Sequence, residues 1–240
     1  MDKRGKKNGF TLVELLIAIV IIGILMSLLI PAVSKVMESA RRAKGANCLR
    51  QIAMAYGQYC NGDVNGRNIK TSEQTGLAWA LVLAKADYLN DPSMYTFSGD
   101  SVATKVEKKS IVNSSLADNK AWGPSGPTEF SVYLIDNVPT DAPQSTTPIA
   151  FTRGLPTGNP AKWPKTGLTT GVYGDKGGYI VFLDGHVEWF EDLGKTDEGE
   201  GKLMKWGGIG TTNQIEDTIP STAKILNASG VVKAGTGTGV

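Results

Sequence analysis

The chain has 240 residues, enough for one domain of ordinary size plus a stalk. With 41% hydrophobic and 20% charged residues it is not a disordered polypeptide. The formal charge of +2 comes with no basic patch or stripe, so no nucleic-acid partner is expected.

The charge is lopsided at the start. Asp2, Lys3, Arg4, Lys6 and Lys7 give residues 1–9 a net +3 and leave the remainder at −1. Residues 10–30 are then apolar, interrupted only by Glu14 and by small or hydroxyl side chains. As a helix this run rises roughly 30 Å, about the hydrocarbon thickness of a bilayer. An ionised carboxylate there costs about 2.5–3.5 kcal/mol, so Glu14 is expected to have a partner. Four residues after Phe10, the partner it suggests is the amine of a new amino terminus. Lys35, Arg41, Arg42 and Lys44 make the far flank basic too, so charge alone does not set orientation.

Gly9-Phe10-Thr11-Leu12-Val13-Glu14, with its basic leader and the apolar run up to Pro31, resembles the processing signal of type IV pilins and type II secretion pseudopilins. The resemblance implies that a prepilin peptidase cuts between Gly9 and Phe10 and that Phe10 is then N-methylated. Glu14 of one subunit would meet the terminal amine of its neighbour in a filament. The same resemblance implies a single-pass inner-membrane protein with its head in the periplasm, which becomes part of a cell-surface filament. Its partners would be copies of itself, the prepilin peptidase, an inner-membrane assembly platform, minor pilins, and membrane lipid before assembly. Two plainer readings compete. Glu14 would be a polar residue snorkelling to the interface, or the run would be a signal peptide cut near Ala32 and Ser34.

Past Pro31, the residues Val33, Val36, Met37, Ala40, Ala43, Leu49, Ile52, Ala53 and Tyr56 recur at three- and four-residue steps. They predict an amphipathic helix whose stripe a globular head covers. Pro31 removes a backbone donor and is expected to kink the helix. Asn61-Gly62-Asp63 and Asn65-Gly66 end it. Cys48 and Cys60 would lie about 18 Å apart on one helix, too far to bridge unless Gly57 breaks it. Free, partly buried thiols are the expected state.

Thr71 to Gln74 reads as a capping box for a second helix through about Asp87. In residues 129–135, Phe130, Val132 and Leu134 alternate with Ser131, Tyr133 and Ile135 and predict a strand; residues 149–152 predict another. Residues 154–178 read as an extended loop that wraps a surface. Asp184-Gly185 between two β-prone runs predicts a two-residue type I′ hairpin. That register pairs Phe182 with Val187 and Ile180 with Trp189, and turns all four toward the long helix. From Gly207 the chain is rich in Gly and Thr and is expected to be mobile unless pinned.

Asp184-Gly185-His186-Val187, Gly177-Gly178, Trp79, Tyr88-Leu89 and residues 47–52 resemble a periplasmic domain of pilin-like proteins described by a His, nine residues, then Asp-Gly. Position 174 is Gly, so the naming histidine is absent, and Phe97-Ser98-Gly99-Asp100 lacks the Cys and Pro of that domain's Cys-Pro-Ser-Asp-like turn. Any function tied to that histidine does not transfer.

No catalytic constellation is legible. His186 is the only histidine, without Ser-His-Asp or Cys/His spacing. Asp175, Asp184, Glu191, Asp192, Asp197, Glu198 and Glu200 offer oxygens without EF-hand spacing, so no metal and no cofactor are expected. Gly207-Gly208-Ile209-Gly210 lacks a strand-to-helix context, and Asn113 and Asn227 begin Asn-x-Ser triplets. The expected architecture is α+β: leader 1–9, filament-core helix 10–30, amphipathic helix 31–62, head 63–206 and tail 207–240. The expected function is a structural, non-enzymatic filament subunit. The alternatives are a tip pseudopilin that primes assembly, or a membrane-held binding protein for a polysaccharide or secreted substrate using an exposed Trp163. A hydrolase finds no acid pair or triad.

Overall fold

A computed structural model of the protein describes residues 10–62, 69–97, 100, 102–103, 111, 129–165, 170–195 and 200–237. The chain forms two compact units, Met1–Ala43 and Lys44–Val240. Helix α1 (Leu12–Gly62) contributes to both. In the first unit the apolar side chains of α1 are exposed, Val33, Val36 and Met37 included. The buried stripe therefore begins at Gly45, not at Val33, and continues through Cys48, Leu49, Ile52, Ala53, Tyr56 and Cys60. Gly45 has a packing reason, since a methyl group there would overlap the Tyr173 hydroxyl. Gly57 does not break the helix, and Cys48 and Cys60 are buried and not bridged to each other. Burial pushes the Cys48 thiol up from its ordinary value.

The strands of the head are β1 (Val132–Asp136), β2 (Pro148–Thr152), β3 (Gly178–Phe182), β4 (Val187–Phe190), β5 (Leu203–Met204), β6 (Thr211–Thr212), β7 (Lys224–Leu226) and β8 (Val231–Ala234). Six form an antiparallel sheet in the order β4-β3-β2-β1-β7-β8, and β5 and β6 pair separately. The α+β architecture is thus a long amino-terminal helix with an antiparallel sheet. The glycine- and threonine-rich segment from Gly207 is pinned, because it supplies β6, β7 and β8, and β7 lies directly beside β1.

Helix α2 (Gly76–Lys85) starts later than the sequence predicted. Its N-cap is Thr75, whose hydroxyl accepts from the Ala78 N–H at 3.1 Å. Gln74 has φ 51°, a conformation that cannot begin a helix, and Thr71 instead bonds to Asp136. On α2, Trp79 stacks on Tyr56 of α1 with centroids 5.9 Å apart.

The β3–β4 hairpin differs from its prediction by one residue. Tyr179 pairs with Trp189, Ile180 with Glu188 and Val181 with Val187. A type I′ turn needs positive φ at both central residues, but here only Gly185 has it, at 87°. Asp184 instead accepts a hydrogen bond from the His186 N–H (3.1 Å), which lengthens the loop to three residues. A shift of one exchanges the faces. Tyr179 and Trp189 now share a side with Tyr173, whose hydroxyl lies over Gly45. Ile180 and Phe182 face the other way.

That other face is covered as well. Trp163, expected to be exposed, is 2% exposed and sits over Gly178, where a Cβ would overlap its ring. The segment after residue 154 therefore builds a second covering layer instead of wrapping an outer surface. With both faces covered, β1 and β2 are buried along their whole lengths, and the expected inside–outside alternation of β1 is absent.

Among the described residues of the head, the carboxylates of Asp100, Glu129, Asp136 and Glu216 are enclosed. Asp100 forms a two-pronged ion pair with Arg153 (2.6 and 2.7 Å) and accepts from the Ser131 hydroxyl at 2.7 Å. Arg153 also donates to the carbonyls of Phe130 (3.0 Å) and Thr170 (2.9 Å). Burial alone would push the Asp100 carboxyl up, but hydrogen bonds and charge from Arg153, with help from Ser131 and the Val102 N–H, hold it below the ordinary 3.8. Burial pushes Glu129 above 4.5 despite bonds from Phe130, Ala228 and Asn227 and the charge of Arg153. It pushes Asp136 above 3.8 despite Thr71, Asn137 and Lys224.

These shifts act on stability in opposite directions. A carboxyl raised by folding binds its proton more tightly in the folded chain, so Glu129 and Asp136 favour the folded head as pH falls through their raised values. Asp100 is lowered, so its contribution is present above 3.8 and is lost as pH falls through its folded value. The urea midpoint of the head is therefore expected to rise as pH drops from neutral toward 4.5, and to fall again below 3.8. Glu129→Gln should flatten the rise and leave the acid limb in place. A midpoint flat from neutral to 4.5 in the parent chain would contradict this.

Candidate functional site

The candidate site is the start of α1. Its apolar run is rich in β-branched residues (Val13, Ile17, Ile19, Val20, Ile21, Ile22, Ile24), which are mediocre helix formers in water. In hydrocarbon every backbone N–H and C=O must be satisfied within the segment, and a helix does this whatever the side chains. The helix is long and apolar enough to cross a membrane, and none of its apolar window is buried within the protein. Phe10, just before the first turn, is 84% exposed.

Glu14 lies in that first turn. Its Oε2 accepts from the Thr11 N–H and from the Thr11 hydroxyl, both at 2.8 Å, while the Glu14 N–H reaches back to Thr11 Oγ1 at 3.3 Å. This is a reciprocal capping box that satisfies donors otherwise orphaned at a helix start. The sequence reading assigned Glu14 to an amine and did not see this second use, although the Thr-x-x-Glu spacing that signals it was present. Among the described residues Oε1 accepts no hydrogen bond. Glu14 is therefore aimed by its own helix through Oε2.

Gly9 lies outside the described residues, so its side of the Gly9–Phe10 bond has no structural description. Pro31 lies inside α1, and the helix is continuous through it. Near it, the Ser27 and Ser34 hydroxyls donate to the carbonyls of Ile24 (2.7 Å) and Ile30 (3.1 Å).

Of the other singled-out groups of the head, His186 and Asp184 meet, and Asp175, Asp192 and Glu200 each pair with a lysine instead. His186 is on the exposed turn, stacked on Phe182 (4.3 Å, 10°), with Nδ1 2.5 Å from Asp184 Oδ1. Asp175, Asp192 and Glu200 pair with Lys165 (3.2 Å), Lys202 (2.6 Å) and Lys195 (3.2 Å). Among the described residues no group of three His, Cys, Asp or Glu is placed to hold a metal ion. Asp197 and Glu198 lie outside them.

The family profile of the prokaryotic N-terminal methylation motif matches residues 4–30. No curated protein and no solved structure matches the chain. The profile match, together with the exposed apolar helix, supports a type IV pilin- or pseudopilin-like protein that is a prepilin peptidase substrate anchored in a membrane. The matched residues end within the stalk. The likeness of the head to the His-x9-Asp-Gly domain rests on its sequence motifs alone.

Proposed function

We propose that the protein is a structural subunit of a type IV pilus-like or type II secretion pseudopilus filament. It assembles through residues 10–30 after cleavage between Gly9 and Phe10 and N-methylation of Phe10. The observation that carries this reading is a helix whose apolar side chains, from Leu12 to Ile30, are uncovered by the protein itself while a capping box presents a single acid at its start. Before assembly, lipid covers that surface in the inner membrane, with the head in the periplasm. Afterwards the same surface of neighbouring copies covers it. Glu14 then meets the incoming Phe10 amine, which sets axial register because a misplaced subunit buries an unpaired charge. Pro31 withdraws a donor from the Ser27 carbonyl and kinks the helix where the apolar run ends. The assembly platform and minor pilins complete the machine.

Mass spectrometry of the amino terminus in envelope fractions tests the reading. The expected mature chain begins at N-methylated Phe10. An intact Met1, or a start near Ala32, overturns it. Abundance along sheared filaments separates a shaft subunit from a tip pseudopilin that primes assembly.

A further inference from the structure

The head contains a cavity of about 260 Å³ between the 155–161 loop, the residues around Glu216 and the edge strand β8. Its polar groups are held by the fold. Glu216 is 5% exposed, its main-chain carbonyl accepts from the Thr236 N–H at 2.9 Å, and its Oε1 takes the Lys233 ammonium. Glu216 Oε2 has no hydrogen-bond partner among the described residues, although the residue lines the cavity. Asn213 is 3% exposed and also lines it, with its Nδ2 donating to the Gly194 carbonyl at 3.4 Å. That oxygen is open to the cavity rather than sealed in the core, so it can accept from a hydroxyl that enters.

The chemistry of the walls selects the class of that donor. Glu216 and Lys233 offset each other, so the site is neutral and gives no net attraction to an ion. Carboxylate and amide oxygens accept hydroxyl protons, and the ammonium donates to hydroxyl oxygens. Leu155, Pro156 and Ala161 supply an apolar wall for a C–H face. A few fixed polar groups set against an apolar wall is the usual composition of a small-molecule site. The volume lies just under the roughly 300–1,000 Å³ of drug-sized pockets, which limits the occupant to one ring. We infer that this cavity binds a single neutral sugar unit, the end or branch residue of a glycan. The head would then recognise a carbohydrate through Glu216, Asn213 and Lys233, independently of how the stalk assembles.

Saturation-transfer NMR on the full chain in detergent micelles tests this with methyl glycosides of glucose, galactose, mannose and N-acetylglucosamine; glycine and glucuronate serve as charged controls. At least one neutral glycoside is expected to bind. Glu216→Gln and Asn213→Ala should each weaken it by about tenfold, the effect of losing one charge-assisted or well-placed hydrogen bond. Ala161→Phe should abolish binding by filling the cavity, with near-UV circular dichroism confirming that each variant is folded. A nitroxide-tagged glycoside on the unmutated chain should broaden the amides of residues 155–161 and 213–216, a readout that needs no variant. The inference is overturned if no neutral glycoside binds at tens of millimolar, if only the charged controls bind, or if broadening falls elsewhere on the head.

Discussion

Replacing Arg153 with methionine is expected to remove about 3–5 kcal/mol from the stability of the head, the usual effect of breaking a buried ion pair from one side. Both side chains are almost fully enclosed, at 1% and 2% exposure. The substitution strands the Asp100 carboxylate in the core and leaves the carbonyls of Phe130 and Thr170 without their donor. Domains of this kind are stable by only about 5–15 kcal/mol, so the loss is a large share of the whole. Asp100→Asn should destabilise for the same reason. The double change Arg153→Met with Asp100→Leu should recover much of the loss, because two apolar residues replace two charges and no charge is left unpaired. Urea titration followed by Trp79 and Trp163 fluorescence measures all three. A loss under 1 kcal/mol for Arg153→Met would show that the pair is not enclosed in solution.

This ion pair also shows where sequence reading stopped. Phe97-Ser98-Gly99-Asp100 departs from the Cys-Pro-Ser-Asp-like turn of the domain it resembles, yet it keeps the aspartate, and the aspartate is the residue that Arg153 holds. A separation of fifty-three positions leaves no local pattern, and a lone Asp in a polar stretch looks solvated. The long helix, β2 and the existence of the β3–β4 hairpin were legible because each is specified by neighbours in sequence, whereas the hairpin's turn type and register were not. The places of β7 and β8 were not. β7 acquires its identity from pairing with β1, a contact between residues about ninety positions apart, and β8 from pairing with β7 in turn. Trp163 fails for a related reason: a proline- and glycine-rich segment reads as surface, and only the second covered face of the sheet makes it core. In the stalk the signal was stronger than the use made of it, since Thr11 and Glu14 stand at capping-box spacing in the same six residues that carry the processing signal.

The observed cap and the proposed amine pairing of Glu14 make the second large effect separable by substitution. A glutamine can reach back to the Thr11 N–H as a glutamate does, so Glu14→Gln keeps the cap while removing the charge. Glu14→Val removes both, and Thr11→Val removes the hydroxyl while keeping the charge. If Glu14 neutralises an incoming amine, the charge decides. A buried ammonium without its partner costs about 2.5–3.5 kcal/mol per joining subunit, on the order of a hundredfold in each addition equilibrium. Sheared-filament yield is therefore expected to collapse for both Glu14→Gln and Glu14→Val. Thr11→Val should fall only several-fold, in line with the loss of a helix cap worth about 1 kcal/mol. Membrane insertion should persist in all three, since each leaves the apolar run at least as apolar as before. The mature-to-precursor ratio on immunoblots, read beside filament yield, separates a processing defect from an assembly defect. Normal filaments from Glu14→Gln would reduce the acid to a helix cap and remove the amine pairing from the mechanism. Collapse with Gln and near-normal yield with Thr11→Val would place the effect in the charge alone.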